Sequence, residues 1–122
     1  TFDTATGNWG PQAAWVDMQS LPGRPDGAAV DAEGCYWICG NDAGQIHRFS
    51  PEGTLLQSVA VPVSKPAMCA FGGPELRHLF VTSIRPASPA PGFDATLDGA
   101  LLVLKPGVQG LPEPLFSRFP VR

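Results

Sequence analysis

The sequence predicts an all-β chain assembled from four-stranded units, and three observations carry that prediction. Gly and Pro number 14 each among 122 residues, about a quarter of the chain, against average uses near 7% and 5%. The hydrophobic fraction is 43%, enough to bury a core, so these turn residues punctuate short strands rather than mark a disordered chain. Finally, the sequence repeats itself, and a repeat decides the architecture before any single motif does.

Taken in order, Arg24-Pro25-Asp26-Gly27-Ala28-Ala29-Val30 aligns with Lys65-Pro66-Ala67-Met68-Cys69-Ala70-Phe71 at an offset of 41. After a turn, Cys35–Cys39 aligns with His78–Thr82 at an offset of 43, so the second turn is two residues longer. Gln45–Phe49 then aligns with Ala100–Leu104 at an offset of 55, which implies an inserted loop over 85–98. Each copy closes alike, Ser50-Pro51-Glu52-Gly53 against Lys105-Pro106-Gly107, and adds a last apolar run, Leu55–Val61 or Leu115–Phe119. The opening residues fit the end of an earlier copy, Phe2–Gly7 standing where Phe49–Gly53 stands and Ala13–Asp17 serving as its final strand.

Four short strands in about 40 residues are the signature of a propeller blade. The chain accordingly holds about two and a third blades of a single domain spanning 1–122. Residues 1–20 end one blade, 24–62 form the next, and 65–120 form another that carries the loop 85–98.

Alternation assigns the faces. In Cys35–Cys39, Cys35, Trp37 and Cys39 share one face and Tyr36 and Ile38 the other. Both faces are apolar, as in a strand covered by neighbours on each side. Asp31-Ala32-Glu33-Gly34 and Pro51-Glu52-Gly53 have the composition of β-turns. The loop 85–98, rich in Pro, is longer than ordinary connections and belongs on a rim, shaping a pocket mouth or moving freely.

The net charge is −3, and the eight Lys and Arg are scattered singly, leaving no basic tract to follow a phosphate backbone, so nucleic acid is not expected as a partner. No apolar run approaches the ~20 residues that span a bilayer, so no membrane segment is expected. Thr1-Phe2-Asp3 shows neither an initiator Met nor a signal-peptide pattern, and reads as the start of a piece cut from within a longer chain. Cys35, Cys39 and Cys69 lack a metal-ligand spacing and suit reduced, buried thiols of a cytoplasmic protein.

Gly23-Arg24-Pro25-Asp26-Gly27, followed by Val30-Asp31-Ala32-Glu33-Gly34 and Trp37, resembles the signature of the senescence marker protein, gluconolactonase and regucalcin family. Further matches follow in the family's order: 44–53, Val61-Pro62-Val63, 70–73 and 79–83. The resemblance implies the C-terminal portion of a six-bladed β-propeller with a divalent metal (Ca2+, Zn2+, Mg2+ or Mn2+) near one end of its channel. It implies hydrolysis of a sugar lactone to its aldonic acid, Asp26 being both a metal ligand and the general base. The family's other ligands, a Glu and an Asn, and its substrate-orienting Arg and Asn precede the segment that corresponds to Thr1. The chain alone is therefore expected to be inactive, and its open blade faces to need the rest of the propeller or self-association. The alternative is a non-enzymatic calcium-binding or partner-binding propeller.

The residues support Asp26 independently. Pro25 restricts and Gly27 loosens the backbone around it, and the equivalent position in the next copy is Ala67; an Asx-type turn is the purely local explanation. Asp31 and Glu33 read as solvated turn residues, and Asn41-Asp42-Ala43-Gly44 as a hairpin connection without a role. His47 and His78 have no second ligand at a metal spacing. Cys69 and Met68 read as core packing. Ser20 and Ser83 lack a His partner pattern, and no phosphate loop or dinucleotide fingerprint occurs.

Overall fold

A computed structural model describes residues 1–113. The described residues fold into nine strands: β1 (Phe2–Asp3), β2 (Asn8–Trp9), β3 (Arg24–Val30), β4 (Tyr36–Asn41), β5 (Gln45–Phe49), β6 (Leu55–Ala60), β7 (Pro66–Gly72), β8 (His78–Ser83) and β9 (Leu101–Leu104). They form three antiparallel meanders, β1-β2, β3-β4-β5-β6 and β7-β8-β9. The only helical elements among the described residues are two short 3-10 turns, at Pro74–Leu76 and Ala95–Leu97.

The aligned copies share one register. Pro25 pairs with Gly40 and Ala28 with Ile38; in the second copy Pro66 pairs with Ser83 and Cys69 with Val81, a match at the offsets the sequence gives. Trp37 opposite Arg48 likewise corresponds to Phe80 opposite Val103. Both innermost strands break register at the same place, between Pro25 and Ala28 and between Pro66 and Met68. Proline cannot donate to a ladder, and a bulge beside it bends the strand and re-aims its side chains.

The turns form as composition predicts. Gly34 N–H donates to the Asp31 carbonyl at 2.9 Å, and Gly53 N–H to that of Ser50 at 2.9 Å. The expected final strand of the second full copy, Leu115–Phe119, lies outside the described residues.

One expectation is corrected. Ala13–Asp17 forms no ladder, and the hairpin partner of β1 is β2. Asp3 closes the turn tightly, accepting from Ala5 N–H at 2.9 Å and from the Thr6 hydroxyl at 2.8 Å, so the returning strand starts at once at Asn8. The segment 13–17 is held by its indole instead. Trp15 packs edge-on to Tyr36 and Phe49, with centroids 5.4 and 6.0 Å away, and donates to the Pro51 carbonyl at 2.9 Å.

The core is the seam between the second and third sheets, where Trp37, Cys39 and Ile46 meet Cys69, Leu79 and Val81, with Val61 and Val63 from the connection between copies. Buried apolar side chains of this size stabilise by about 1.5–3 kcal/mol each. Backbone bonds also tie the copies together: Asp31 bridges to Gly110, and Ala32 N–H donates to the Gln109 carbonyl at 2.7 Å. The long loop crosses back as well, Asp94 N–H donating to the Pro62 carbonyl at 2.9 Å. Its Phe93 ring lies against Gly44, where φ is +60° and a Cβ would also stand 2.8 Å from the Val63 carbonyl oxygen. Only glycine fits there.

Candidate functional site

A cavity of about 460 Å3 opens where the two full sheets meet at one end. Its walls are Arg24, Pro25 and Asp26 of β3, Asn41 at the end of β4, Lys65 ahead of β7, and 84–87 at the start of the long loop. The loop thus shapes a pocket mouth. A neighbouring cavity of about 590 Å3, toward Asp17–Leu21, shares Arg24, Pro25 and Asn41 but not Asp26.

Asp26 lies inside the β3 bulge, without a ladder partner, and its side chain is exposed in the cavity. Asn41 holds it: the Asn41 amide Nδ2 donates to Asp26 Oδ2 at 2.8 Å. Asn41 is buried, and its Oδ1 has no partner among the described residues. A buried amide half-satisfied in this way is an uncommon arrangement that attracts a polar group from outside. Sequence reasoning missed Asn41 because Asn-Asp-Ala-Gly carries a strong turn signal. Asp42 does serve that turn, with φ at +73°.

Asp42 also gathers charge. Arg24 Nε donates to its Oδ2 at 2.6 Å, and Lys65 Nζ pairs with its Oδ1. Hydrogen bonds from Lys65 and then Arg24 hold the Asp42 carboxyl below its ordinary value.

Asp31 is corrected from a solvated turn residue to a fully buried carboxylate. Its Oδ1 accepts from the backbone N–H of Glu33 at 2.9 Å and of Cys35 at 3.0 Å. Its Oδ2 accepts from Trp37 Nε1 at 2.9 Å and from Arg48 Nε at 2.8 Å. Burial pushes the carboxyl up, but the Trp37 and Arg48 bonds outweigh it and hold it below its usual value. Arg48 lies over the Trp37 ring, 5.6 Å from its centroid, and its Nη2 reaches Glu33 at 2.7 Å. Every lone pair is engaged, so this cluster is structural. The ladder was the missed signal: Arg48 stands directly opposite Trp37.

The remaining candidates fall as expected, except Met68. His47 is buried, with Nε2 2.9 Å from the Pro22 carbonyl, which can only accept, and Nδ1 2.8 Å from the Ser58 hydroxyl. His78 is half-buried on β8 beside Phe80. The three cysteines are free and buried. The Cys69 thiol beside it, and then burial, push the Cys39 thiol up, so it packs rather than reacts. Met68 is exposed, with its sulfur over Gly27. Core packing therefore holds for Cys69 only, because the β7 bulge rotates Met68 outward.

A divalent cation fits this site in part. The donors at hand are a carboxylate oxygen of Asp26 and the free amide oxygen beside it, hard ligands of the kind that Ca2+ and Mg2+ prefer. Among the described residues no three His, Cys, Asp or Glu side chains converge, so a complete shell needs donors from outside them.

A four-stranded and a three-stranded antiparallel meander packed face to face, with a carboxylate at the mouth between them, define a propeller-like assembly with a site at one end of its sheets. The chain belongs to the SMP-30/gluconolactonase/LRE-like family, whose sequence profile matches residues 1–85. It is 44% identical over 96 residues to the 6-deoxy-6-sulfogluconolactonase of Pseudomonas putida, covering 78% of this chain and 33% of that protein. It is 34% identical over 117 residues to the pentonolactonase XacC of Haloferax volcanii, covering 92% and 40%. A solved structure described as a calcium-binding protein, regucalcin, from Agrobacterium tumefaciens superposes with a TM-score of 0.77 at 28% identity, over 89% of this chain and 37% of that one. The chain thus spans about a third of the length of the curated relatives it matches.

Proposed function

We propose that the full-length protein containing this chain hydrolyses an aldono-1,4- or 1,5-lactone to its aldonic acid, with Asp26 as metal ligand and general base. The observation that carries this reading is the placement of Asp26. A bulge aims it into a cavity between two sheets, and a buried amide fixes one of its oxygens. Sugar lactone hydrolysis runs in the family, two of whose members are named lactonases.

With Oδ2 held by Asn41, Oδ1 is left to take a proton from water. The water oxygen then bonds to the lactone carbonyl carbon, the ring C–O bond breaks, and the proton passes from Asp26 to the departing ring oxygen. A divalent cation, when bound, would polarise the carbonyl and offset the charge that develops on its oxygen. Apolar side chains left open on the far sheet, Leu101 and Val103, 60% and 52% exposed, support the rest of a propeller, or a second copy, as a covering partner. The free thiols support a reducing, cytoplasmic setting.

The test is gluconolactone hydrolysis by the full-length protein and its Asp26→Ala variant, with divalent metal supplied and spontaneous hydrolysis subtracted. A loss of about 100-fold or more is expected on removing the base; equal rates would sink the reading. The isolated 122 residues should turn over no lactone and bind Ca2+ weakly, and tight saturable binding would contradict that. The second reading, calcium handling without catalysis, is supported by the calcium-binding neighbour. It gains if the full-length protein binds Ca2+ through Asp26 yet opens no lactone.

A further inference from the structure

The cations scattered singly along this acidic sequence do not stay apart when it folds: Arg24, Lys65 and Arg85, three of the eight, line the cavity that holds Asp26. The repeat explains how. Arg24 and Lys65 occupy the same position ahead of the two bulges. Continuing the register two residues past Gly40 and Ser83 equates Asp42 with Arg85.

In the first copy, then, a cation faces a carboxylate at the sheet end, Arg24 against Asp42 at 2.6 Å. In the second the carboxylate has become Arg85. Among the described residues Lys65 finds no acid within its own sheet and reaches across to Asp42, which two cations therefore share. The Arg85 side chain donates from Nε to the Asp98 backbone carbonyl at 3.3 Å. Among the described residues it has no carboxylate partner. The rim thus carries more positive than negative charge in a chain whose net charge is −3, and Arg85 is exposed.

We propose that this rim is a subsite for an anionic oxyanion group on the substrate, a sulfonate or phosphate borne by the lactone away from its ring carbonyl, with Arg85 as its main contact. A guanidinium fork matches two oxygens of such a group, and Lys65, at the same end of the same sheet, adds a point charge. The inference rests on the lactonase reading of Asp26 and names the substrate class for it.

The experiment compares gluconolactone with its 6-sulfonate and 6-phosphate derivatives on the full-length protein, wild type beside Arg85→Asp. That change restores the charge type of the first copy. The wild type should favour a charged lactone. The variant should lower the charged-to-neutral ratio of kcat/KM about tenfold or more, as loss of one charge-assisted hydrogen bond predicts, and the difference should shrink with added salt. The two charged substrates reveal which oxyanion is preferred.

An equal loss on all three lactones, or a wild type that favours the neutral one, overturns the subsite. If no lactone is opened, the lactonase reading falls, and calorimetric titration of methanesulfonate and inorganic phosphate decides the rim on its own. Saturable heat in the wild type that disappears in Arg85→Asp supports it, and identical isotherms overturn it.

Discussion

The two full copies of the repeat share a hydrogen-bond register and fill it with opposite chemistry. In the first, Asp31, Trp37 and Arg48 build a buried charged network. In the second the same positions hold Gly72, Phe80 and Val103, and the Phe80 ring lies so close that a Cβ on Gly72 would stand 2.9 Å from it. The mouth differs in the same sense, Asp26, Asn41 and Asp42 facing Ala67, Ile84 and Arg85. Bulge, turn and alternation set the strand pattern, whereas the side chains at equivalent positions answer to whatever lies beside each sheet.

Breaking the charged network should have the largest effect. Asp31→Ala strips Trp37 of its acceptor and leaves the nearly buried Arg48 with Glu33 alone, which should lower stability by about 3–5 kcal/mol; chemical denaturation at neutral pH measures it. The same network makes the first copy the acid-sensitive one. Because the folded Asp31 carboxyl sits below its unfolded value, its contribution is full above a pH of about 4 and is lost as pH falls toward the folded value. The gap between wild type and variant should therefore narrow in acid, and a gap independent of pH would contradict the ion-pair account.

The contact between copies comes next. Gly27 lies under Met68, and a methyl group there would stand 2.7 Å from the Ala67 carbonyl oxygen. Gly27→Ala should cost about 1–3 kcal/mol by overpacking, with Gly27→Ala/Met68→Ala recovering part of it in the same denaturation assay. Asp42→Asn should be the mildest. Its pairs with Arg24 and Lys65 are partly exposed, and exposed pairs contribute about 0–1 kcal/mol. A midpoint shift beyond that range would mean that Asp42 organises the mouth rather than decorating it.

The sequence exposed the strands because repeat and turn chemistry agree locally. Arg24–Val30 and Gln45–Phe49 form as read, and the equivalence of Asp26 with Ala67 marked the carboxylate. What stayed hidden depends on partners distant in the chain. Asn41 meets Asp26 from 15 residues away, and Asp31 meets Arg48 from 17; in each case a polar residue in a turn-like string looks the same whether water or a side chain surrounds it. Ala13–Asp17 was misplaced for the converse reason. Its apolar run fits the repeat, but Trp15 spends it on side-chain packing rather than on a ladder.

Cys39 on β4 and Cys69 on β7 face each other across the dry seam, 0% and 1% exposed. An alkylating reagent can touch either sulfur only after the sheets part. The chain thus carries its own clock: the rate at which these two thiols are labelled counts how often one blade lifts from the next, without an introduced probe.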